Sequence, residues 1–183
     1  MRIAAMAVMT VAMSGGAWAE AEVAVCMQFG ADILPLAVAE KMASKTFAEI
    51  GVTVEWQLGC TRCPCGPAIV IDLSYHTAAN DHLGSWAYAL PYEGTRVVVF
   101  WDRIQRKMPA GWAQILLAHV LAHEIAHILQ GESRHSESGI LKARWSDEDI
   151  FEMMKKPVSF TETDIVLIRH GLETRSRVPL VRH

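Results

Sequence analysis

The residues most able to do chemistry lie together, C-terminal to the middle of the sequence. Residues 123–135 read His-Glu-Ile-Ala-His-Ile-Leu-Gln-Gly-Glu-Ser-Arg-His. His123 and His127 stand four positions apart, so a helix through this stretch places both imidazoles on one face, one turn apart. At that separation one Zn²⁺ can accept a nitrogen from each residue at about 2.0–2.1 Å. Glu124 directly follows the first histidine and is placed to take a proton from a metal-bound water, so the pattern predicts a zinc hydrolase.

A third protein ligand would complete such a site, and the sequence favours His135. Gly131 can end the helix and let the chain turn back toward the metal, which brings His135 within reach. The spacing leaves open a carboxylate as third ligand, and also a site with two protein ligands only. The competing carboxylates are those of Glu132, Glu137, Asp147, Glu148 and Asp149.

His119 lies on the same stripe of the predicted helix, but it cannot share a metal ion with His127. His119 and His127 stand eight positions apart, which corresponds to about 12 Å of helix rise. One zinc ion with bonds near 2 Å cannot bridge that distance. Pairing His119 with His123 instead would take Glu124 away from the bound water. We therefore predict that His119 is a core residue or a residue that supports the ligands.

The elements that must position these residues follow from the periodicity of the chain. Residues 52–58 alternate strictly between apolar and polar side chains, as a half-buried strand does. Strands are predicted at residues 23–28, 52–58, 68–73 and 96–101, with a short edge strand at 87–90, and helices at 32–49, 112–129, 146–156 and 159–171. Ser159 and Glu162 have the spacing of a capping box for the last helix. This order predicts an α+β fold, a twisted mixed sheet with helices packed mainly on one face.

The zinc motif resembles that of the metzincin clan of zinc peptidases. The clan signature runs His-Glu-x-x-His-x-x-Gly-x-x-His and is followed by a methionine-containing turn. The sequence is most similar to a group of small, exported bacterial proteins with the stretch His-Glu-Ile-x-His-x-Leu-x-Gly-x-x-x-His-Ser-x-x-Gly-Ile-Met, here residues 123–141. The resemblance implies one metzincin-like catalytic domain over residues 20–183. It also implies one zinc ion held by His123, His127 and His135, and peptide hydrolysis with Glu124 as general base.

The sequence departs from the clan signature at three positions. Gly131 lies one position later than the glycine of the clan, and His135 lies two positions later than its third histidine. Leu141 occupies the place of the turn methionine. The exchange of methionine for leucine is close in volume, so packing should tolerate it.

The resemblance extends weakly to residues 83–100, where metzincins hold an edge strand that receives the substrate backbone. It implies that Ala87, Tyr88, Ala89 and Leu90 bind an extended peptide by strand addition. The alternative is an ordinary edge strand that binds no ligand. Arg134, beside His135, either steers an acidic substrate or is simply exposed.

The four cysteines predict two disulfides, because the chain is expected to be exported and the count is even. A bond between Cys63 and Cys65 would close a very tight loop and is disfavoured by geometry. That leaves Cys26 bonded to Cys63 or to Cys65, with Cys60 taking the other. A second metal site or a redox pair at Cys60 and Cys63 is the alternative.

The first nineteen residues predict a signal peptide. Arg2 precedes a largely apolar stretch at 3–13, and Ala17 and Ala19 are small residues at the cleavage positions. The apolar stretch is shorter than the roughly 20 residues that a membrane span needs. We therefore expect an exported protein, periplasmic or extracellular, with no membrane span.

Composition limits the partners of the mature chain. Removal of residues 1–19 removes one basic residue, Arg2, so 16 Lys and Arg remain against 20 Asp and Glu, a formal charge of −4. A nucleic-acid-binding face needs concentrated basic charge, so we expect none. The expected partner is a peptide or protein substrate, and the oligomeric state stays open.

The alternative function is a non-catalytic, zinc-bearing binding module or envelope-associated module, although such a scaffold has no chemical need for Glu124.

Overall fold

The computed structural model of the chain describes residues 20–28, 34–58, 68–78, 80–91 and 95–177. The predicted signal peptide at residues 1–19 lies outside this range. The described residues form five strands and five helices in the order β1 (Ala21–Gln28), α1 (Leu34–Ala48), β2 (Val52–Leu58), β3 (Ile69–Ser74), β4 (Ala87–Ala89), β5 (Arg96–Phe100), α2 (Trp101–Lys107), α3 (Ala110–Gln130), α4 (Asp147–Lys155) and α5 (Glu162–Arg177).

The strands form one mixed sheet in the order β2-β1-β3-β5-β4. Neighbouring strands are parallel from β2 to β5, and β4 alone runs antiparallel to its neighbour β5. β4 stands at the edge of the sheet, with Ala87 opposite Val99 and Ala89 opposite Val97. The predicted α+β class, the mixed sheet and the edge strand are confirmed.

Helix α3 lies at the centre of the molecule, where it contacts the other four helices and the strands β4 and β5. Leu116, Leu117, Leu121, Ile125 and Ile128 are completely buried along it. Among the described residues, α3 is the one helix long and apolar enough to cross a membrane, yet 83% of its apolar stretch is buried inside the fold. The apolar sequence of α3 is therefore matched by a protein core around it.

Helix α2 is a part of the fold that the sequence pattern did not predict. The expected strand at 96–101 is one residue too long, because Trp101 begins α2 and β5 ends at Phe100. Asp102, in the first turn of the helix, is bound to a residue far away in the sequence: its carboxylate accepts the N–H of Thr77 at 3.2 Å and the hydroxyl of Thr77 at 2.7 Å. Arg106, one turn further on, pairs with the same carboxylate at 3.0 Å. These contacts hold the first turn of α2 against the segment that follows β3.

The last helix begins later and continues further than predicted. Its capping box uses Thr161 and Asp164, not Ser159 and Glu162: Thr161 Oγ1 accepts the N–H of Asp164 at 3.2 Å, and Asp164 Oδ2 accepts the N–H of Thr161 at 3.0 Å. The helix also runs through Gly171 instead of ending there. A Cβ at this position would lie 1.9 Å from the carbonyl oxygen of Leu129. Gly171 therefore lets α5 pass close to the end of α3.

The predicted disulfides fall largely on residues that the structure does not describe. Cys26 is completely buried in β1, whereas Cys60, Cys63 and Cys65 all lie outside the described residues. The pairing of the four cysteines stays a prediction.

Candidate metal centre

Three histidine side chains converge at the C-terminal half of α3. His123 and His127 lie on the helix and His135 on the loop after it, and one nitrogen from each lies within 4.8 Å of the other two. The Nε2 atoms of His123 and His127 are 3.0 Å apart. Two nitrogens bound to one tetrahedral zinc would be about 3.3 Å apart. The predicted helical spacing and the predicted return of His135 thus bring together three donors that match one zinc ion.

Backbone carbonyls set the orientation of the two helical histidines. His123 Nδ1 lies 2.7 Å from the carbonyl oxygen of Ile140, and His127 Nδ1 lies 3.1 Å from that of Glu132. A carbonyl oxygen only accepts hydrogen bonds, so each Nδ1 carries the proton and each Nε2 keeps its lone pair for a metal. Both carbonyls belong to the loop that presents His135. One loop therefore supplies the third imidazole and orients the first two.

Gly131 makes the turn that starts this loop. It adopts a left-handed conformation with φ of +75°, and its N–H donates to the carbonyl of His127. Glycine takes this conformation without the steric cost that a Cβ would bring. The prediction that Gly131 ends the helix and turns the chain back is confirmed.

Asp164 anchors the loop through both neighbours of His135, a role that the sequence did not reveal. Its carboxylate is completely buried, and its Oδ1 atom accepts hydrogen bonds from Ser136 Oγ at 2.5 Å and from Arg134 at 3.3 Å. The guanidinium of Arg134 thus pairs with α5 while its side chain stays 39% exposed, so the predicted exposure is observed and the steering of an acidic substrate stays a prediction. The only signal in the sequence was the capping-box spacing of Thr161 and Asp164.

The turn after His135 is closed by a backbone hydrogen bond and rests on buried apolar residues. The N–H of Ser136 donates to the carbonyl of Leu141 at 2.7 Å, and Ile140 and Leu141 are completely buried. Leu141 thus fills, as core packing, the place where the resemblance puts a methionine.

Gly139 has φ of +77°, and a Cβ there would lie 2.7 Å from the carbonyl oxygen of Ser159. Glycine is required at this position for both reasons.

His119 stands apart from the cluster, in agreement with the sequence. Its Nδ1 donates to the carbonyl of Ile115 at 2.8 Å, and its Nε2 accepts the N–H of Val158 at 3.3 Å. Both nitrogens are therefore in use. Its ring meets Trp145 edge-on at 6.5 Å, and the same tryptophan meets His123 edge-on at 5.5 Å. Trp145 thus packs between the supporting histidine and one of the candidate ligands.

The electrostatics of the centre favour neutral groups while no cation is nearby. Burial, with repulsion from His127, lowers the pKa of His123 to about 3. Burial, with repulsion from His135, lowers the pKa of His127 to about 4. The imidazoles are therefore unprotonated at neutral pH, which is the form that binds metal. Burial also raises the pKa of Glu124 to about 8, and a cation close by would favour its charged form.

Two of the five competing carboxylates are engaged elsewhere. Asp147 pairs with Lys107 at 2.7 Å and Asp149 with Lys142 at 2.6 Å. Within the described residues, the group of donors able to hold a metal comprises histidines only.

The three histidines and Glu124 line a cleft of about 640 Å³. One wall, called here the metal wall, consists of these residues and of residues 142–145, which follow the histidine loop. The other wall, called here the substrate wall, consists of residues 83–86 and strand β4.

Comparison with known proteins finds a structural relative of this fold but no relative in sequence. No protein-family model matches the sequence, and no curated protein matches it. Among solved structures, the archaemetzincin from Methanopyrus kandleri superposes with a TM-score of 0.58 at 15% sequence identity, covering 84% of this chain and 96% of that one. The chain has a metzincin-like fold. The fold that the resemblance implied is thereby confirmed, and the likeness to small exported bacterial proteins stays a prediction.

In this metzincin-like fold, strand β4 lies where the sequence predicted it, along the cleft. Ala87, Tyr88 and Ala89 line the cavity, whereas the N–H of Leu90 donates to the carbonyl of Arg96 at 3.0 Å. Among the described strands, β4 pairs only with β5. The other edge of β4 therefore offers backbone groups to which a strand can be added.

Arg103 holds the segment that leads into β4, another role the sequence did not reveal. Its guanidinium donates to four backbone carbonyls, those of Ala78, Asp81, His82 and Ser85. The same group lies 4.3 Å from the centroid of the Phe100 ring. A surface arginine at a helix start carries no sequence signal for such a contact.

Proposed function

We propose that this chain is an exported zinc-dependent peptidase, in which His123, His127 and His135 hold one Zn²⁺ and Glu124 is the general base. The convergence of three neutral imidazoles beside a buried carboxylate in a cleft carries the proposal. The donor set fits zinc, because both Nδ1 atoms are bound to carbonyls and the Nε2 atoms of His123 and His127 face each other 3.0 Å apart, close to the spacing of two nitrogens on one zinc ion. The metzincin-like fold supports the same conclusion.

The protein residues divide the work of hydrolysis between them. Zinc bound by neutral imidazoles supplies a Lewis acid and a water whose pKa is lowered to about 7. Glu124 takes the proton of the attacking water and delivers it to the leaving amine. Its position directly after His123 on α3 keeps the carboxylate at the metal wall. Burial keeps competing water away from it, which strengthens its interaction with charge that develops in the cleft.

The substrate in this proposal is a peptide or protein segment in extended conformation. The free edge of β4 binds its backbone by strand addition, so Ala87, Tyr88 and Ala89 form the binding strand of the substrate wall, and Leu90, whose N–H is bound to Arg96, lies just beyond it. This geometry presents the scissile carbonyl to the metal wall across the cleft. Export by the signal peptide at residues 1–19, and a single catalytic domain over 20–183, belong to the same proposal.

The test compares zinc content and hydrolysis in purified mature protein and three variants. We expect one zinc per chain and cleavage of a quenched-fluorescence peptide library in wild type. Glu124→Gln should keep the zinc and lose about 10²–10⁴-fold in rate, whereas His135→Ala should lose the zinc. His170→Ala is the matched control, because His170 is exposed and lies on α5 outside the cleft.

Two outcomes would overturn parts of the proposal. Full zinc content in His135→Ala would remove His135 from the ligand set. A zinc-loaded wild type that cleaves no member of the library would favour the non-catalytic, zinc-bearing module.

A further inference from the structure

We infer that Arg144 selects substrates that present a carboxylate to the metal wall of the cleft. The inference rests on the proposed function and deepens it by naming a substrate class, acidic peptides. Its basis is the set of charged side chains that line the cleft, among which Arg144 has no ion-pair partner within the described residues.

Three cationic side chains line the cleft, and two of them are neutralised. Lys107 Nζ lies 2.7 Å from Asp147 Oδ1, and Lys142 Nζ lies 2.6 Å from Asp149 Oδ2. Both carboxylates belong to the first turn of α4. Arg144 lines the same cleft, is exposed, and has no ion-pair partner in the part of the chain that the structure describes. The anionic groups that also line the cleft are Glu124, at the metal centre, and Asp147, already paired.

The backbone around Arg144 is held against the metal centre at both ends. Upstream, the carbonyl of Ile140 binds Nδ1 of His123 at 2.7 Å. Downstream, the ring of Trp145 meets the ring of the same histidine edge-on at 5.5 Å. Arg144 therefore lies on a short segment that contacts His123 at both ends, and it lines the same cleft as His123 and Glu124.

The opposite wall determines what can reach this guanidinium. A peptide added to β4 has side chains that alternate between two directions. Residues 142–145 line the same cleft as β4, so we expect the side chains of the added peptide that enter the cleft to come within reach of this segment. A guanidinium binds a carboxylate through two parallel hydrogen bonds, with better geometry than an ammonium provides. The ligand is therefore a substrate carboxylate, either an Asp or Glu side chain near the scissile bond or the C-terminal α-carboxylate.

The first experiment uses matched peptides on zinc-loaded, full mature protein. The peptides differ at one position near the scissile bond, which holds Glu, Gln or Lys, and each is made with a free and with an amidated C-terminus. Wild type should show a kcat/KM about tenfold higher for the carboxylate-bearing peptide than for its neutral match. Arg144→Gln should reduce the preference to within about twofold, and Arg144→Glu should reverse it toward Lys. Lys41→Gln, on exposed α1 surface, is the charge-matched control and should keep the preference.

The two sources of carboxylate give different results. A preference that follows Glu over Gln regardless of the C-terminus identifies a side-chain carboxylate. A preference that disappears on amidation identifies the terminal carboxylate. An equal preference in wild type and Arg144→Gln, or no preference in wild type, overturns the inference.

A binding measurement separates this inference from the proposed function. The same peptides, fluorescently labelled, are titrated into zinc-loaded Glu124→Gln and into the double variant that also carries Arg144→Gln. Tighter binding of acidic peptides, about tenfold, should be present in the first protein and absent in the second. If no peptide is cleaved but this difference is present, peptidase activity fails and the role of Arg144 stands. If peptides are cleaved and the difference is absent, the role of Arg144 fails alone.

Discussion

The two walls of the cleft are held in place by different means. On the metal wall, each element is fixed by buried contacts: His123 and His127 by backbone carbonyls, and the loop around His135 by the buried carboxylate of Asp164. On the substrate wall, a three-residue strand and the segment before it depend largely on one arginine, Arg103.

This difference follows from what each wall must do. A metal site needs its donors within a few tenths of an ångström, so the groups that orient them are built into the core. An edge that receives different peptides needs only available backbone groups, and exposed segments of this kind have low local stability. We therefore expect substitutions that disturb the metal wall to lower the stability of the whole fold or its affinity for zinc. Substitutions in the substrate wall should affect only that segment and the binding of peptides.

The largest expected difference between the two regions is in unfolding free energy, when each of two glycines with the same backbone conformation is replaced by alanine. Gly139, in the loop that leads from His135 to the metal wall, has φ of +77°, and Gly84 on the substrate wall has φ of +79°. Of the two, only Gly139 would place a Cβ against another atom, the carbonyl oxygen of Ser159 at 2.7 Å. Gly84→Ala should cost about 1 kcal/mol of unfolding free energy from the backbone alone. Gly139→Ala should cost about 3 kcal/mol, since overpacking adds to it. Urea unfolding of the metal-free proteins measures both, and equal costs would contradict the comparison.

Asp164 tests whether the anchor of the loop matters to the metal. Asp164→Asn keeps the shape but weakens the hydrogen bonds to Ser136 and Arg134, so zinc affinity should fall about 10–100-fold. Competition with a zinc chelator measures the affinity. Thermal unfolding of the metal-free variant shows how much of the loss is due to stability. Asp147→Asn, an exposed carboxylate outside the histidine loop, is the control, and an unchanged affinity in Asp164→Asn would contradict the anchoring role.

Replacing Arg103 tests whether the segment before β4 depends on this one side chain. Arg103→Leu removes the donors to four carbonyls, so the segment before β4 should open more often while the metal wall stays intact. We expect zinc affinity to be unchanged, proteolytic nicking near residues 80–85 to be faster, and KM for peptides to rise severalfold with a smaller change in kcat. Gln105→Leu, at an exposed position on the same helix, is the control. A loss of zinc in Arg103→Leu would show that the walls are not independent.

The smallest expected effect lies behind the metal wall, on α1, which packs against α3. Burial raises the pKa of Glu40 from 4.5 to about 7, and its Oε1 atom has no hydrogen-bond partner among the described residues. The folded state therefore binds this proton more tightly than the unfolded chain. The contribution of Glu40 to stability is complete below about pH 4.5 and is lost as the pH rises through 7.

Glu40→Gln removes this pH dependence. Relative to the variant, wild type should lose on the order of 1 kcal/mol of unfolding free energy between pH 5 and pH 8. Urea unfolding of the metal-free proteins at the two pH values measures the change. Glu49→Gln, an exposed glutamate just after α1, should show no such trend, and a parallel trend in both variants would contradict the assignment.

The sequence by itself determined the features that depend on short-range geometry. The positions of His123, Glu124 and His127 on one helix follow from the 3.6-residue period, and the end of that helix follows from the freedom of Gly131. Strand β2 was predicted with its observed bounds because its alternation is strict. Each of these depends on residues within about one or two turns of one another, where local rules are sufficient.

Only the tertiary structure decided the features that depend on partners far away in the chain. The return of His135, in place of a competing carboxylate, depends on Asp164, about thirty residues later in the sequence. The first turn of α2 is bound to Thr77, and the capping box of α5 moved to a carboxylate that also serves the loop. From the sequence, Arg134 either steered an acidic substrate or was simply exposed; in the structure it pairs with Asp164 of α5, whereas Arg144 has no ion-pair partner among the described residues. Long-range packing assigns each charge its partner, and spacing along the chain carries no information about that choice.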